Sequence, residues 1–148
     1  SAVLTLTVTP VPPVVPVTQW LRSHFGASAN TQVAAGDQAD PDGDGMPNLF
    51  EYAFGRDPLN SDSADFMQAH IQPDPKEAVN YLTIAAAKNP AATNIVYSAS
   101  VCDGLAEPRW TNTVTGLQDT RATFAVRDNA RSSSAPHRFM RLNVKRSF

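Results

Sequence analysis

The chain of 148 residues, 42% of them hydrophobic, is long enough for one ordinary domain with a modest core. A formal net charge of -2 excludes a strongly basic nucleic-acid binder, and no run approaches the roughly 20 apolar residues of a membrane-spanning helix. The total hides a segregation: residues 36–79 carry ten Asp and Glu against two Lys and Arg, whereas residues 121–148 carry seven Lys and Arg and a single acid, Asp128.

Residues 2–9, AVLTLTVT, alternate in side-chain character and are rich in β-branched residues, which predicts a strand. The following PVPPVVPV lacks the N–H groups a sheet ladder needs, so it reads as an extended, semi-rigid spacer. Residues 1–16 are thus a strand with a Pro-rich linker. They resemble neither a signal peptide nor an anchor, and the start at Ser1 fits a piece of a longer, processed protein. A helical segment is expected over 17–66. Thr18 is placed as the cap of a helix through Phe25, with Trp20, Leu21, His24 and Phe25 on one face and Gly26 as the stop. Residues 27–39 read as a loop with one helical turn. A second short helix carries Leu49, Phe50, Ala53 and Phe54 and ends at Gly55.

From about Ala78 the pattern changes to period two, which places strands near 79–86, 93–101, 109–115, 121–127 and 137–146. The predicted fold class is mainly β with a short helical segment: an EF-hand-like loop packed on a small antiparallel β-sandwich-like domain over 67–148. Cys102 is the only cysteine, so an internal disulfide is excluded, and a buried, inert thiol is expected.

Residues 40–51 read DPDGDGMPNLFE. Calcium takes six to eight oxygen ligands, and a loop of about twelve residues wraps one ion when oxygens arrive at positions one, three, five, seven, nine and twelve. Asp40, Asp42 and Asp44 supply the first three carboxylates, the Met46 backbone carbonyl the next contact, Asn48 the ninth position, and Glu51 a bidentate close. Gly43 and Gly45 relax the backbone where the loop must turn. The predicted cofactor is therefore Ca2+. The loop lacks the directly preceding helix and the second hand of a calcium sensor, so the ion is expected to staple the fold, with an affinity of about 10⁻⁴–10⁻³ M as in extracellular modules.

The stretch DPDGDGMPNLFEYAFGRDPLNSDSA resembles the single calcium-binding repeat, related to thrombospondin type 3 and dockerin-like loops, near the C-termini of large secreted and cell-surface proteins of Verrucomicrobia and related bacteria. PVTQWLRSHFG resembles the Trp-containing helix before that repeat, and VYSASVCDGLAEPRW and APHRFMRLNV resemble the β-rich end after it. The resemblance covers roughly residues 17–146. It implies the ligand set Asp40, Asp42, Asp44, Met46, Asn48 and Glu51, and a non-catalytic, calcium-stabilised module serving structure, display or attachment, in an extracellular or cell-surface setting. DPLNSDSADF begins like a further repeat but lacks its Gly and later ligands, so Asp57, Asp62 and Asp65 are left open as contributors to the site and read first as caps and turns.

Other residues are assigned structural work. Ser132, Ser133 and Ser134 near His137 lack a nucleophile elbow, which leaves a loop rather than a hydrolase. His24 reads as packed and His70 as part of a linker, neither at metal-ligand spacing. Trp20, Trp110, Tyr52, Tyr81 and Tyr97 read as core, and would form a sugar platform only if exposed. Arg138, Arg141, Lys145 and Arg146 read as the charged guard of an edge strand. Two alternatives to the stapled module follow: a polysaccharide-binding module, and a self-assembling subunit whose residues 2–9 add to the sheet of a neighbouring copy. The partners considered are the parent chain, neighbouring copies and polysaccharide, with no nucleic acid and no membrane span.

Overall fold

The computed structural model describes residues 15–74, 76, 78–134 and 137–147. The strand expected over 2–9 lies outside them. What it shows is a small domain of mostly β-strands with two short helices.

Helix α1 (Val17–Phe25) starts one residue before the predicted cap: Pro16 holds the extended conformation at its N-terminus, and Thr18 caps nothing. Proline is favoured at this boundary because its missing N–H would be unpaired there anyway. The helix ends where expected, at Gly26 with φ 82. Two single 3-10 turns, Ala29–Thr31 and Val33–Ala35, lead to the acidic loop, and helix α2 (Asn48–Phe54) follows Pro47. Gly55 closes α2 in the left-handed conformation (φ 71, ψ 40), which side chains rarely tolerate.

Among the described residues six strands follow rather than five. They are β1 (Met67–Pro73), β2 (Asn80–Ala87), β3 (Ile95–Cys102), β4 (Val114–Asp119), β5 (Thr123–Arg131) and β6 (Phe139–Arg146). One antiparallel sheet has the order β1-β2-β5-β4, and β3 and β6 pair as a second. The strand expected over 109–115 is a correction: most of it is irregular chain, tied to β3 by the Val101–Thr111 bridge, and β4 starts only at Val114. β1 is a strand that the period-two pattern does not predict, and it makes His70 a strand residue rather than part of a linker.

Both sheets feed one apolar cluster: Ile84 and Ala86 from β2, Phe124 and Val126 from β5, Ala99 from β3 and Leu142 from β6. Ala53 and Phe54 of α2 complete it, while Leu49 and Tyr52 on another face of the same helix join Trp20 and Leu21 of α1 in a second cluster. α2 is therefore buried on nearly every side, which is why its face carries no ordinary amphipathic stripe.

The last carbonyls of a helix need partners, and here the β-region supplies them. Asn89 donates its side-chain amide to Tyr52 O and its backbone N–H to Ala53 O, and the Tyr97 hydroxyl donates to Ala53 O. The Tyr52 hydroxyl donates to Val15 O at 2.6 Å and accepts from Thr93 N–H at 2.8 Å, pinning the incoming chain. Tyr52→Phe removes the partner of both groups from a fully buried side chain. Chemical denaturation of this variant should show a loss of about 1–3 kcal/mol, and a loss below a few tenths would mean the hydroxyl is not the pin described.

Candidate metal centre

Asp40, Asp42 and Asp44 stand on the loop between the second 3-10 turn and α2, and the loop folds around its own amides. Asp40 accepts from Gly43 N–H and Gly45 N–H, both at 2.9 Å. Asp42 accepts from Asp44 N–H at 3.2 Å, and Asp44 from Met46 N–H at 2.8 Å. These contacts require the positive φ of Gly43 (74) and Gly45 (90), as the glycine spacing predicts. Each aspartate offers one carboxylate oxygen to a set whose members lie within 4.8 Å of one another.

Glu51 arrives from α2, one turn into the helix, and is fully buried with neither carboxylate oxygen hydrogen-bonded. Its partners in space are Asp44 and Asp62: one oxygen from each of the three lies within 4.8 Å of the others. The placement of Asp62 corrects the reading of that residue as a turn former. Asp62 N–H donates to Asp44 Oδ2 at 3.0 Å, Ser63 Oγ–H donates to Asp44 O, and Asp62 Oδ1 is buried without a partner. Asp57 does act in a turn, accepting from Leu59 N–H, and Asp65 sits in a turn at φ 61.

Met46 is buried, and Asn48 divides its work. Its Nδ2 donates to Ala34 O and Gly36 O, both at 2.8 Å, which ties the 3-10 segment to α2, while Oδ1 is buried and unpaired. The sequence pattern supplies the acceptor role alone and gives no sign of the tie.

The electrostatics follow from this crowding. Burial first, then the charges of Asp42, Asp44, Asp62 and Asp40, push the Glu51 carboxyl up to about 8. Asp42 is also raised, by desolvation ahead of its neighbours' charge. Desolvation alone would raise Asp44, but donors from Met46, Asp62 and Ser63 outweigh it and hold the carboxyl below its ordinary value. Oxygen-only donors, excess negative charge and orphaned buried carboxylate oxygens together suit a hard divalent cation.

Most of the remaining candidates are engaged elsewhere. His24 packs tilted against Trp20, ring centroids 4.7 Å apart, and faces Asp57, and exposed His70 faces Gln72. Ser132 N–H bonds Asn80 O and Ser134 bonds Arg131 O, in the turn after β5. Cys102 is buried, its thiol donating to Gly104 O. Trp20, Tyr52 and Tyr81 are buried, Tyr97 packs against Phe54 and Phe124, and half-buried Trp110 lies under the Arg141 guanidinium. Three basic side chains of the C-terminal region are engaged within the chain: Arg138 with Asp128 and Asp103, Arg146 with Asp37, and Arg127 with Asp74. The long-range charge segregation is thus partly spent in local pairs. Among the described residues no helix is long and apolar enough to cross a membrane. Compared with family models, curated proteins and solved structures, the chain matches none.

Proposed function

We propose that the chain is a non-catalytic, calcium-stapled module of an extracellular or cell-surface protein, in which an EF-hand-like loop is clamped onto a β-sandwich-like domain to serve structure, display or attachment. The observation that carries this reading is Glu51: a fully buried carboxylate with both oxygens unpartnered, facing Asp44 and Asp62. A bound cation supplies the positive charge that such a carboxylate lacks. Asp40, Asp42, Asp44 and Glu51 are the carboxylates that the loop spacing assigns to it, with the Met46 carbonyl and Asn48 Oδ1 as the neutral donors, and Asp62 stands beside Asp44 and Glu51.

Calcium suits the donor set better than magnesium, which demands near-octahedral geometry and keeps several waters. The acidic residues belong to three pieces of chain: the loop, α2 and the stretch leading into β1. Neutralising their repulsion joins the helical segment to the sheets, and this is a mechanical role rather than a chemical step. Affinity in the range of extracellular modules matches a setting where calcium is abundant.

Thermal unfolding with about 2 mM calcium and with excess EDTA tests the reading. With a dissociation constant of about 10⁻⁴ M the midpoint should rise by roughly 4–7 °C, from RT ln(1 + [L]/Kd) and the entropy scale of a domain this size. Asp44→Ala should abolish the difference. Coincident midpoints in the unsubstituted protein would reduce the loop to an acidic turn and remove the proposal.

A further inference from the structure

Two ligand oxygens on one calcium ion lie at most about 5 Å apart, twice the metal–oxygen bond of roughly 2.3–2.6 Å. The loop pattern assigns Asp40, Asp42, Asp44 and Glu51 to a single ion, yet the carboxylates fall into two groups by that criterion. One is Asp40, Asp42 and Asp44, and the other is Asp44, Glu51 and Asp62, each drawn within 4.8 Å. Asp44 alone belongs to both.

The second group carries its own sign of a ligand. Glu51 has no exposure and no partner on either oxygen, and Asp62 Oδ1 is likewise buried and unpaired. Asp40, in the first group, is satisfied differently, with Oδ1 and Oδ2 each accepting a loop amide. A cation seated on the first group leaves the buried oxygens of Glu51 and Asp62 without a counter-charge. One divalent ion also offsets fewer than half of the five carboxylates that make up the two groups, whereas two ions offset all but one.

We propose that the centre has two divalent-cation positions sharing Asp44: one within the loop on Asp40, Asp42 and Asp44, and a second between the loop and α2 on Asp44, Glu51 and Asp62. The inference rests on the calcium reading and goes beyond it in ion number and in the ligand from outside the loop. Asp62 then has a defined purpose. It ties the chain beyond Gly55 back to the loop, where Asp62 N–H and Ser63 Oγ–H already meet Asp44.

Calcium titration of the decalcified full chain by calorimetry, with ions per chain counted by native mass spectrometry, tests the second position. The expected stoichiometry is two for the unsubstituted protein and one each for Asp62→Asn and Asp40→Asn, since either change spares three carboxylates of the other group. Asp62→Asn keeps the backbone N–H that reaches Asp44. A single ion in the unsubstituted protein overturns the second position while leaving the calcium reading intact. No bound ion overturns both. Should a variant fail to fold by circular dichroism, the count on the unsubstituted protein still separates two positions from one.

Discussion

Replacing Asp128 with alanine should lower the unfolding free energy by roughly 3–5 kcal/mol and the thermal midpoint by about 6–20 °C, the scale for breaking one side of a buried ion pair. Asp128 stands on β5 with no exposure, and its two oxygens receive a fork from Arg138: Nε at 2.6 Å on Oδ2 and Nη2 at 2.6 Å on Oδ1. Ala130 N–H adds a third donor at 3.0 Å. The truncation leaves the Arg138 guanidinium largely buried, with only the exposed Asp103 carboxylate beside it. Changing both residues to leucine should recover much of the loss, because apolar replacement of a whole buried pair is often near neutral.

The same pair gives a pH dependence with a definite sign. Burial alone would raise the Asp128 carboxyl, but the Arg138 hydrogen bonds and the Ala130 N–H outweigh it and hold the carboxyl below its ordinary value. A depressed carboxyl contributes stability that is fully present above its unfolded value, near 3.9, and is lost as pH falls through the folded one. Urea midpoints of the unsubstituted protein should therefore drop below about pH 4 more steeply than those of Asp128→Ala. Parallel acid limbs, or a loss under about 1 kcal/mol at pH 7, would show that the fork is not a principal support of the sheets.

What the sequence made legible is governed by how local each signal is. The glycines at 43, 45 and 55 and strands β2, β3, β5 and β6 all rest on spacing within about a dozen residues, and the structure places them close to expectation, while the same short spacing brings Asp40, Asp42 and Asp44 together. β1 is hidden because it is an edge strand whose residues from Gln68 onward are all exposed, so QAHIQ shows no alternation to find. β4 is misplaced because Trp110 and Thr111 imitate a strand opening, while the real strand carries Gly116 and a register shift before Gln118. Asp62 lies well beyond Glu51 in the chain, at no spacing that a loop pattern records. It is returned to Asp44 by the reversal after Gly55, and only the fold reveals the approach. The basic residues near the C-terminus look like a patch in one dimension because their partners, Asp37, Asp74 and Asp103, come from far away in sequence.

Glu51→Gln should change stability by an amount that depends on calcium rather than produce a simple loss. A buried carboxylate kept only for its hydrogen bonds would destabilise the fold when neutralised, whatever the solvent. Glu51 has no hydrogen bond to lose, and it faces like charges that help push its buried carboxyl up to about 8. Without metal, then, its folded form holds a proton that the unfolded chain has released at pH 7, a penalty on the order of 3 kcal/mol that glutamine does not carry. The sign follows from linkage: a raised carboxyl costs stability as pH climbs from about 4.5 toward 8, so in EDTA the variant should match or exceed the unsubstituted protein at neutral pH. In millimolar calcium the unsubstituted protein should gain about 2 kcal/mol that the variant does not, which closes most of the gap, because glutamine offers a neutral oxygen where the ion needs a charged, bidentate ligand. Four melting curves, two proteins with and without calcium, measure it. If Glu51→Gln is less stable by the same amount in both solvents, Glu51 is an ordinary structural acid and the buried triad is not a cation position. A gap between the two proteins that narrows in calcium ties the burial of that carboxylate directly to the ion.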